Sequence, residues 1–286
     1  MSKNSKRALI IRGGAMKGAF TAGVMCTLHE KLGVNYFDAI YSNSVGVFGQ
    51  AFFASNQPDL LEGIWREYVH DKKLINFSNI LESKPILNLD YLVNLFRSKD
   101  TLLNVEQIKK AKPELFCILS NYETKQPEIF NLKEEDLFQI MLATSAVPIL
   151  YNKKIFINGI RYHDGSLTVK KIMDKLIIKL LDSGYGEVIV KINRKGAFKS
   201  KNSKIFIIEP SKMPLYHHLD TNQKRILETI EQGKSDALQF LKDKLNNCAE
   251  KLGIKIIPVK ASPVGLRIQQ IRQERDKDKI HRLFDE

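Results

Sequence analysis

Three short stretches hold residues whose types and spacing could do chemistry together. The first is Ser42-Asn43-Ser44-Val45-Gly46, close to the G-x-S-x-G pattern of a nucleophile elbow. In such an elbow a strand turns sharply into a helix and lifts a hydroxyl above the sheet edge. A serine is a weak nucleophile until a neighbouring base takes its proton. Ser44 is the candidate nucleophile. The small residues Ser42 and Gly46 let strand and helix approach, although serine in place of the first glycine makes the turn less comfortable. Val45 offers a backbone N–H at a helix start, where negative charge is favoured. The second stretch is Gly13-Gly14-Ala15-Met16-Lys17-Gly18. A dinucleotide loop requires glycine where Ala15 stands, and a phosphate-binding P-loop requires lysine where Ala19 follows Gly18. Both nucleotide readings fail on spacing. What is left is a run of flexible backbone N–H groups with one cation, Lys17, suited to an oxyanion or a phosphate head group. The third stretch, His163-Asp164-Gly165-Ser166, offers a carboxylate as a candidate general base. Each stretch taken alone also reads as an ordinary turn.

These residues need elements to hold them. Ala8-Leu9-Ile10-Ile11 is a continuous apolar run of strand length, as in a strand buried on both faces. The glycine stretch follows it. Next comes a helical pattern over 19–32, with Phe20, Val24 and Leu28 four apart and Gly33 as its stop. The pattern predicts a second strand over 36–41 and a helix over 45–54. Residues 58–112 read as helices on one side, a partial lid, with breaks near Pro58, Pro85 and Pro113. Strands are predicted over 115–120, 128–132, 187–192 and 204–209. Helices are predicted over 134–143, 169–181 and 221–252. Strands over 154–157 and 160–163 flank Asn158-Gly159, a strong hairpin signal that sets Asp164 just past a strand end. The polar tail carries apolar Ile268, Ile271, Ile280 and Leu283. The alternation predicts an α/β fold, three layers with a mainly parallel central sheet. No repeat or low-complexity linker divides residues 1–286, so one domain is expected, with a C-terminal helical extension over about 210–286.

Composition limits the partners. Hydrophobic residues make up 43% of the 286, enough for a sizeable core. Lysine and arginine number 45 against 32 acids, a net charge of +13, which favours anionic partners. Nucleic acid is not expected, because zinc-finger spacing, an RNP-like aromatic run and a basic recognition helix are all missing. An anionic membrane surface is the remaining partner class. Cys26, Cys117 and Cys248 form neither a disulfide framework nor a metal pattern, and fit a reducing, cytoplasmic setting. The first apolar run is too short for a signal peptide, and no run approaches the ~18 residues of a spanning helix, so membrane contact would be peripheral. Neither metal nor cofactor is expected. Oligomeric state is not readable.

Taken together, the three motifs resemble the patatin-like phospholipase family. That family pairs a G-G-G-x-R/K-G oxyanion loop, a G-x-S-x-G elbow and an Asp-Gly-Gly or Asp-Gly-Ala motif, in the order found here. Ser145-Ala146-Val147-Pro148 is similar to the family's segment before its acid, and the similarity covers about residues 7–195. The resemblance implies a Ser44–Asp164 dyad. An oxyanion hole would be drawn from Gly13, Gly14, Ala15, Lys17, Gly18 and Val45, with Ser42, Gly46 and Gly165 as support. It implies phospholipid or lysophospholipid esters as substrates. Ala15, Ser42 and Ser166 stand where the family has smaller residues, and a position needing positive φ disfavours alanine or serine. Two other readings stay open. One is a Ser-His-Asp esterase using Ser44, Asp164 and His217 or His218. The other is a lipid-binding or interaction protein of the same fold with a weak or inactive site.

Overall fold

Side chains alternate across a β-strand, and here that alternation builds two cores from one run of residues. In the computed structural model, which describes residues 5–70 and 72–251, strand β1 (Lys6–Ile11) lies inside an eight-stranded sheet. Leu9 and Ile11 pack on one side with Phe20, Ile40 and Phe52. Ala8 and Ile10 pack on the other with Met173, Leu176, Ile177 and Leu180. A strand covered on both faces needs consecutive apolar residues, which explains the unbroken Ala8–Ile11 run.

The chain continues through helix α1 (Gly18–Lys31), strand β2 (Ala39–Asn43) and helix α2 (Gly46–Ala54). Helices α3 (Pro58–Glu67), α4 (Leu89–Leu95) and α5 (Val105–Lys110) follow. Strands β3 (Glu114–Asn121) and β4 (Pro127–Asn131) then precede helix α6 (Leu137–Ser145). A hairpin of β5 (Ile155–Ile157) and β6 (Ile160–His163) leads to helix α7 (Val169–Asp182). Strands β7 (Tyr185–Lys191) and β8 (Ile205–Ile208) and helix α8 (Gln223–Lys251) complete the described chain.

The sheet runs β5-β6-β3-β2-β1-β7-β8, with β4 also on β3. Pairs β1–β2, β2–β3, β1–β7 and β7–β8 are parallel; β3–β4, β3–β6 and β5–β6 are antiparallel. Helices α1, α2 and α6 line the larger core and α7 the smaller, giving three layers. From β1 the chain crosses to β2 on one side, while β7 closes the other. Such a switch point opens a crevice at the carboxyl ends of the strands.

One expectation needs correction. The second strand runs Ala39–Asn43 instead of 36–41, because Gly33 (φ 72) opens a 3-10 turn over Val34–Tyr36. The shift carries β2 up to the residue before Ser44. The break expected near Pro58 lies over residues 55–57, between α2 and α3, and Pro58 is the first residue of α3, where its missing N–H costs nothing. The described residues up to Leu241 belong to one compact unit, and those from Lys242 to a second. Ile268, Ile271, Ile280 and Leu283 lie outside the described residues.

Candidate active site

Strands β1 and β2 run side by side in the register Ile11↔Ser42, so both release their chains at one sheet edge. After Asn43 a single residue makes the turn. Ser44 has φ 51, a conformation L side chains rarely adopt, as a sharp strand-to-helix elbow demands. Gly46 lets α2 start close beneath, since a Cβ there would lie 2.5 Å from the Ile11 carbonyl oxygen. The discomfort expected at Ser42 is not found. Ser42 is still in β2, and its hydroxyl bonds Gln50, whose Nε2 donates to the Ile40 carbonyl at 2.8 Å. The first elbow position asks for a small strand residue, and the strain falls on the nucleophile instead.

Ser44 Oγ donates to Asp164 Oδ2 at 2.7 Å. The two residues are 5% and 1% exposed, so their bond lies in a nearly dry place. Asp164 follows β6, and besides Ser44 three neighbours fix it by hydrogen bonds. Its N–H donates to the Ala146 carbonyl at 3.1 Å. Its carbonyl accepts from Ser120 Oγ at 2.9 Å, and its Oδ1 accepts from the Ser166 N–H at 2.6 Å. Gly165 is required next, because a Cβ there would meet the Ile118 carbonyl oxygen at 1.9 Å. Thr144 ties nucleophile to sheet: it accepts from the Ser44 N–H at 2.8 Å and donates to the Ile118 carbonyl at 2.9 Å. Burial raises the Asp164 carboxyl above its ordinary value, against the opposing pull of its bonds from Ser166 and Ser44.

The histidines sit elsewhere. His163 packs edge-on against Tyr122. His217 Nδ1 accepts from the Leu219 N–H, and His218 Nδ1 lies 3.1 Å from the Gly14 carbonyl oxygen. Among the described residues, none of the three hydrogen-bonds the Ser44 hydroxyl or the Asp164 carboxylate.

The glycine stretch passes directly against the nucleophile: a Cβ on Gly13 would lie 2.4 Å from Ser44 Cβ. Among the described residues, the N–H groups of Gly13, Gly14, Ala15 and Val45 donate no hydrogen bond. Those of Lys17 and Gly18 are already committed, to Gly14 and to Ala15 and Met16. Gly18 therefore starts α1 without supplying a free donor, contrary to its expected place in the oxyanion hole. Lys17 keeps a half-buried side chain whose pKa burial and nearby Arg194 lower. Ala15 has φ 49, so the alanine does occupy a glycine-favouring conformation.

Sequence reasoning missed Thr144, Ser120, Lys191 and Asn193. Thr144 is one place before the segment Ser145–Pro148, which was its only sequence signal. Among the described residues, Cys26, Asp59 and Glu62 hold ligand atoms within 4.8 Å of one another. Glu62 already accepts from Lys234 at 2.7 Å and Arg66 at 2.8 Å, so cations of the protein fill that place. An open cleft lined by His29, Gly33, Asn56 and Lys110 contains none of the Ser44–Asp164 groups.

The chain is similar to several known proteins. YjjU of Escherichia coli strain K12, an uncharacterized protein, is 25% identical over 166 residues. That match covers 56% of this chain and 45% of YjjU. The crystal structure of VipD from Legionella pneumophila is similar with a TM-score of 0.51 at 11% identity, covering 84% of this chain and 67% of that one. The type III effector protein ExoU gives a TM-score of 0.46 at 10% identity, covering 84% and 53%. A family model described as patatin-like phospholipase matches residues 9–170, more than half of the chain, and the chain belongs to that family.

Proposed function

We propose that the chain is a lipid acyl hydrolase in which Ser44 is the nucleophile and Asp164 its base, acting on phospholipid or lysophospholipid esters. Family membership supports acyl hydrolysis in general. The observation that carries the finer reading is the 2.7 Å bond from Ser44 Oγ to Asp164 Oδ2, with no histidine between. As Ser44 Oγ attacks the acyl carbon, its proton passes to Asp164 and the carbonyl electrons move onto oxygen. The free N–H groups of Gly14, Ala15 and Val45 stabilise that oxyanion, and Lys17 adds positive potential. The carbon–oxygen bond to the leaving alcohol then breaks, and Asp164 returns the proton to it. Water then attacks the acyl carbon as the same carboxylate takes its proton, the bond to Ser44 Oγ breaks, Asp164 returns the proton to Ser44, and the fatty acid leaves. A raised carboxyl pKa strengthens Asp164 as a base.

A fluorophosphonate probe tests the nucleophile. Mass spectrometry of the digested protein should find the adduct on Ser44, and Ser44→Ala should abolish both adduct and ester hydrolysis. Equal slow hydrolysis by wild type and variant would support the binding-protein reading instead. His217→Ala should leave hydrolysis within about threefold, and His218→Ala, which also removes a partner of the Gly14 carbonyl, should cost no more than about 10²-fold; a loss of about 10⁴-fold or more in either, the size seen for triad members, would restore the histidine mechanism.

The second part of the proposal is peripheral contact with anionic lipid. The net charge of +13 supports it. So do Leu81 and Ile149, 91% and 90% exposed. Their segments are joined by the Leu87 N–H to the Leu150 carbonyl at 2.8 Å and by Asn152 Nδ2 to the Ser83 carbonyl at 3.1 Å. Ile149 also has φ 76, an outlier for a β-branched residue, three places after the carbonyl that holds Asp164. Binding to vesicles of anionic phospholipid should exceed binding to zwitterionic vesicles, weaken with salt, and fall in Ile149→Asp. Indifference to anionic lipid content would remove this part alone.

A further inference from the structure

On the side of the glycine stretch away from Ser44 stands a second buried group that the reaction does not use. Strand β7 pairs with β1 in the register Ile11↔Lys191, and the Arg12 N–H donates to the Lys191 carbonyl at 3.0 Å. The Lys191 side chain is fully buried. Its Nζ donates to the Arg12 carbonyl at 3.1 Å and to Asn193 Oδ1 at 2.8 Å, and it touches Thr21 Oγ1. Asn193 Nδ2 in turn donates to the Arg12 carbonyl at 2.9 Å and the Gly13 carbonyl at 2.8 Å.

A planar trans peptide points its C=O and the next N–H in opposite directions. Holding the Arg12 oxygen therefore aims the Gly13 N–H, and holding the Gly13 oxygen aims the Gly14 N–H. The Gly14 oxygen, between the Lys17 N–H at 3.1 Å and His218 Nδ1 at 3.1 Å, aims the Ala15 N–H in the same manner. Steric contacts show which side is which. A Cβ on Gly13 would strike Ser44, while a Cβ on Gly14 would come within 2.9 Å of Asn193 Nδ2. The loop is threaded between nucleophile and amide, one glycine for each.

We infer that Lys191 and Asn193 are positioning residues that hold the Arg12 and Gly13 carbonyls so that the N–H groups of the loop are turned to the Ser44 side. The pair touches no reacting atom. A buried lysine without an anion is costly compared with an apolar residue of similar volume. Here its hydrogen bonds go to the loop backbone, to Thr21 and to the amide that grips the loop.

The test rests on the proposed hydrolysis for its kinetic arm only. Asn193→Asp keeps the size and the acceptor facing Lys191 but removes both donors to the loop; Lys191→Met removes the other. Each should lower kcat for a short-chain ester by about 10²-fold, the usual effect of losing an oxyanion donor, with KM changed by less than about threefold. A thionoester of the same alcohol is the control. Sulfur accepts hydrogen bonds weakly, so the ester-to-thionoester rate ratio should fall toward one in both variants. An unchanged ratio, with both rates lowered equally, would mean lost active protein and would overturn the inference. Hydrogen exchange supplies an arm independent of turnover. The Met16 and Lys17 amides, bonded to His218 and Gly14, should exchange at least about tenfold faster in Asn193→Asp while the β1 amides do not change. Unaltered exchange at both amides would also overturn it. If the wild type hydrolyses no ester, the reaction proposal falls, and exchange alone decides whether the pair holds the loop.

Discussion

Asp164 and Lys191 stand on opposite sides of one glycine stretch, and both are buried without an ion-pair partner among the described residues. Burial penalises the charged form of each. It raises the carboxyl of Asp164 and drives the ammonium of Lys191 well below its ordinary value, with Arg12 adding to the latter. Their neighbours separate them. Asp164 accepts a bond from a hydroxyl whose proton can leave, and Ser44 becomes a nucleophile when it does. Lys191 bonds a backbone carbonyl, a side-chain amide and the Thr21 hydroxyl, which has no acyl group to attack. The same desolvation thus prepares a base on one side and a fixed hydrogen-bond donor on the other. What a buried charge does is decided by the reactivity of what it touches.

The comparison breaks most sharply at Asp164→Asn. The variant keeps the size of the side chain and an oxygen for the Ser166 N–H, but it cannot take a proton. Ester hydrolysis should fall by about 10⁴-fold or more. Stability should move the other way. The carboxyl of Asp164 titrates above 3.8 in the folded chain, so between 3.8 and that raised value the native state binds more protons than the unfolded one. Folding stability therefore declines as pH rises through that window. Asparagine does not titrate, so the variant should gain about 0.5–2 kcal/mol at neutral pH, and the gain should shrink as pH falls toward 3.8. Thermal unfolding of both proteins across pH checks the sign. In the wild type, kcat/KM should rise with pH along an acid limb centred above 3.8. A limb at or below that value would mean that Asp164 is not the base.

The two sides were unequally legible in the sequence. Asp164 stood in a four-residue motif after an Asn-Gly hairpin, and Ser44 in an elbow pattern, because tight turns leave glycine where a Cβ cannot fit. Gly13, Gly46 and Gly165 each meet another part of the chain at close range, and those contacts were readable as spacing. Lys191 and Asn193 were not readable. Lys191 ends β7 after apolar Val188-Ile189-Val190, Asn193 stands two places beyond it, and their role depends on β7 lying beside β1 across 180 positions of sequence (register Ile11↔Lys191). A separation of 100 positions likewise hid Thr144, which reaches Ser44 from α6. Local turns announce themselves; groups brought together by strand order do not. The strand shift at Ala39–Asn43 shows the reverse error, where Tyr36 closes a 3-10 turn and Phe37 follows it before the strand begins.

The smallest expected effect separates backbone strain from the two buried charges. Ala15 follows Gly13, which faces Ser44, and Gly14, which faces Asn193, and has φ 49. An L residue held there costs about 1–2 kcal/mol. Ala15→Gly relieves that cost but gives the unfolded chain more freedom, worth about 0.4–1 kcal/mol in the opposite sense. The net gain should be about 0.5 kcal/mol, seen as a rise in Tm of about 1–2 °C for a unit of this size. The Ala15 N–H is aimed by the Gly14 carbonyl and its partners, not by the Ala15 methyl, so kcat should stay within about threefold. A tenfold loss of kcat with the same rise in Tm would show that the methyl group restrains the loop, and that Lys191 and Asn193 do not hold it alone.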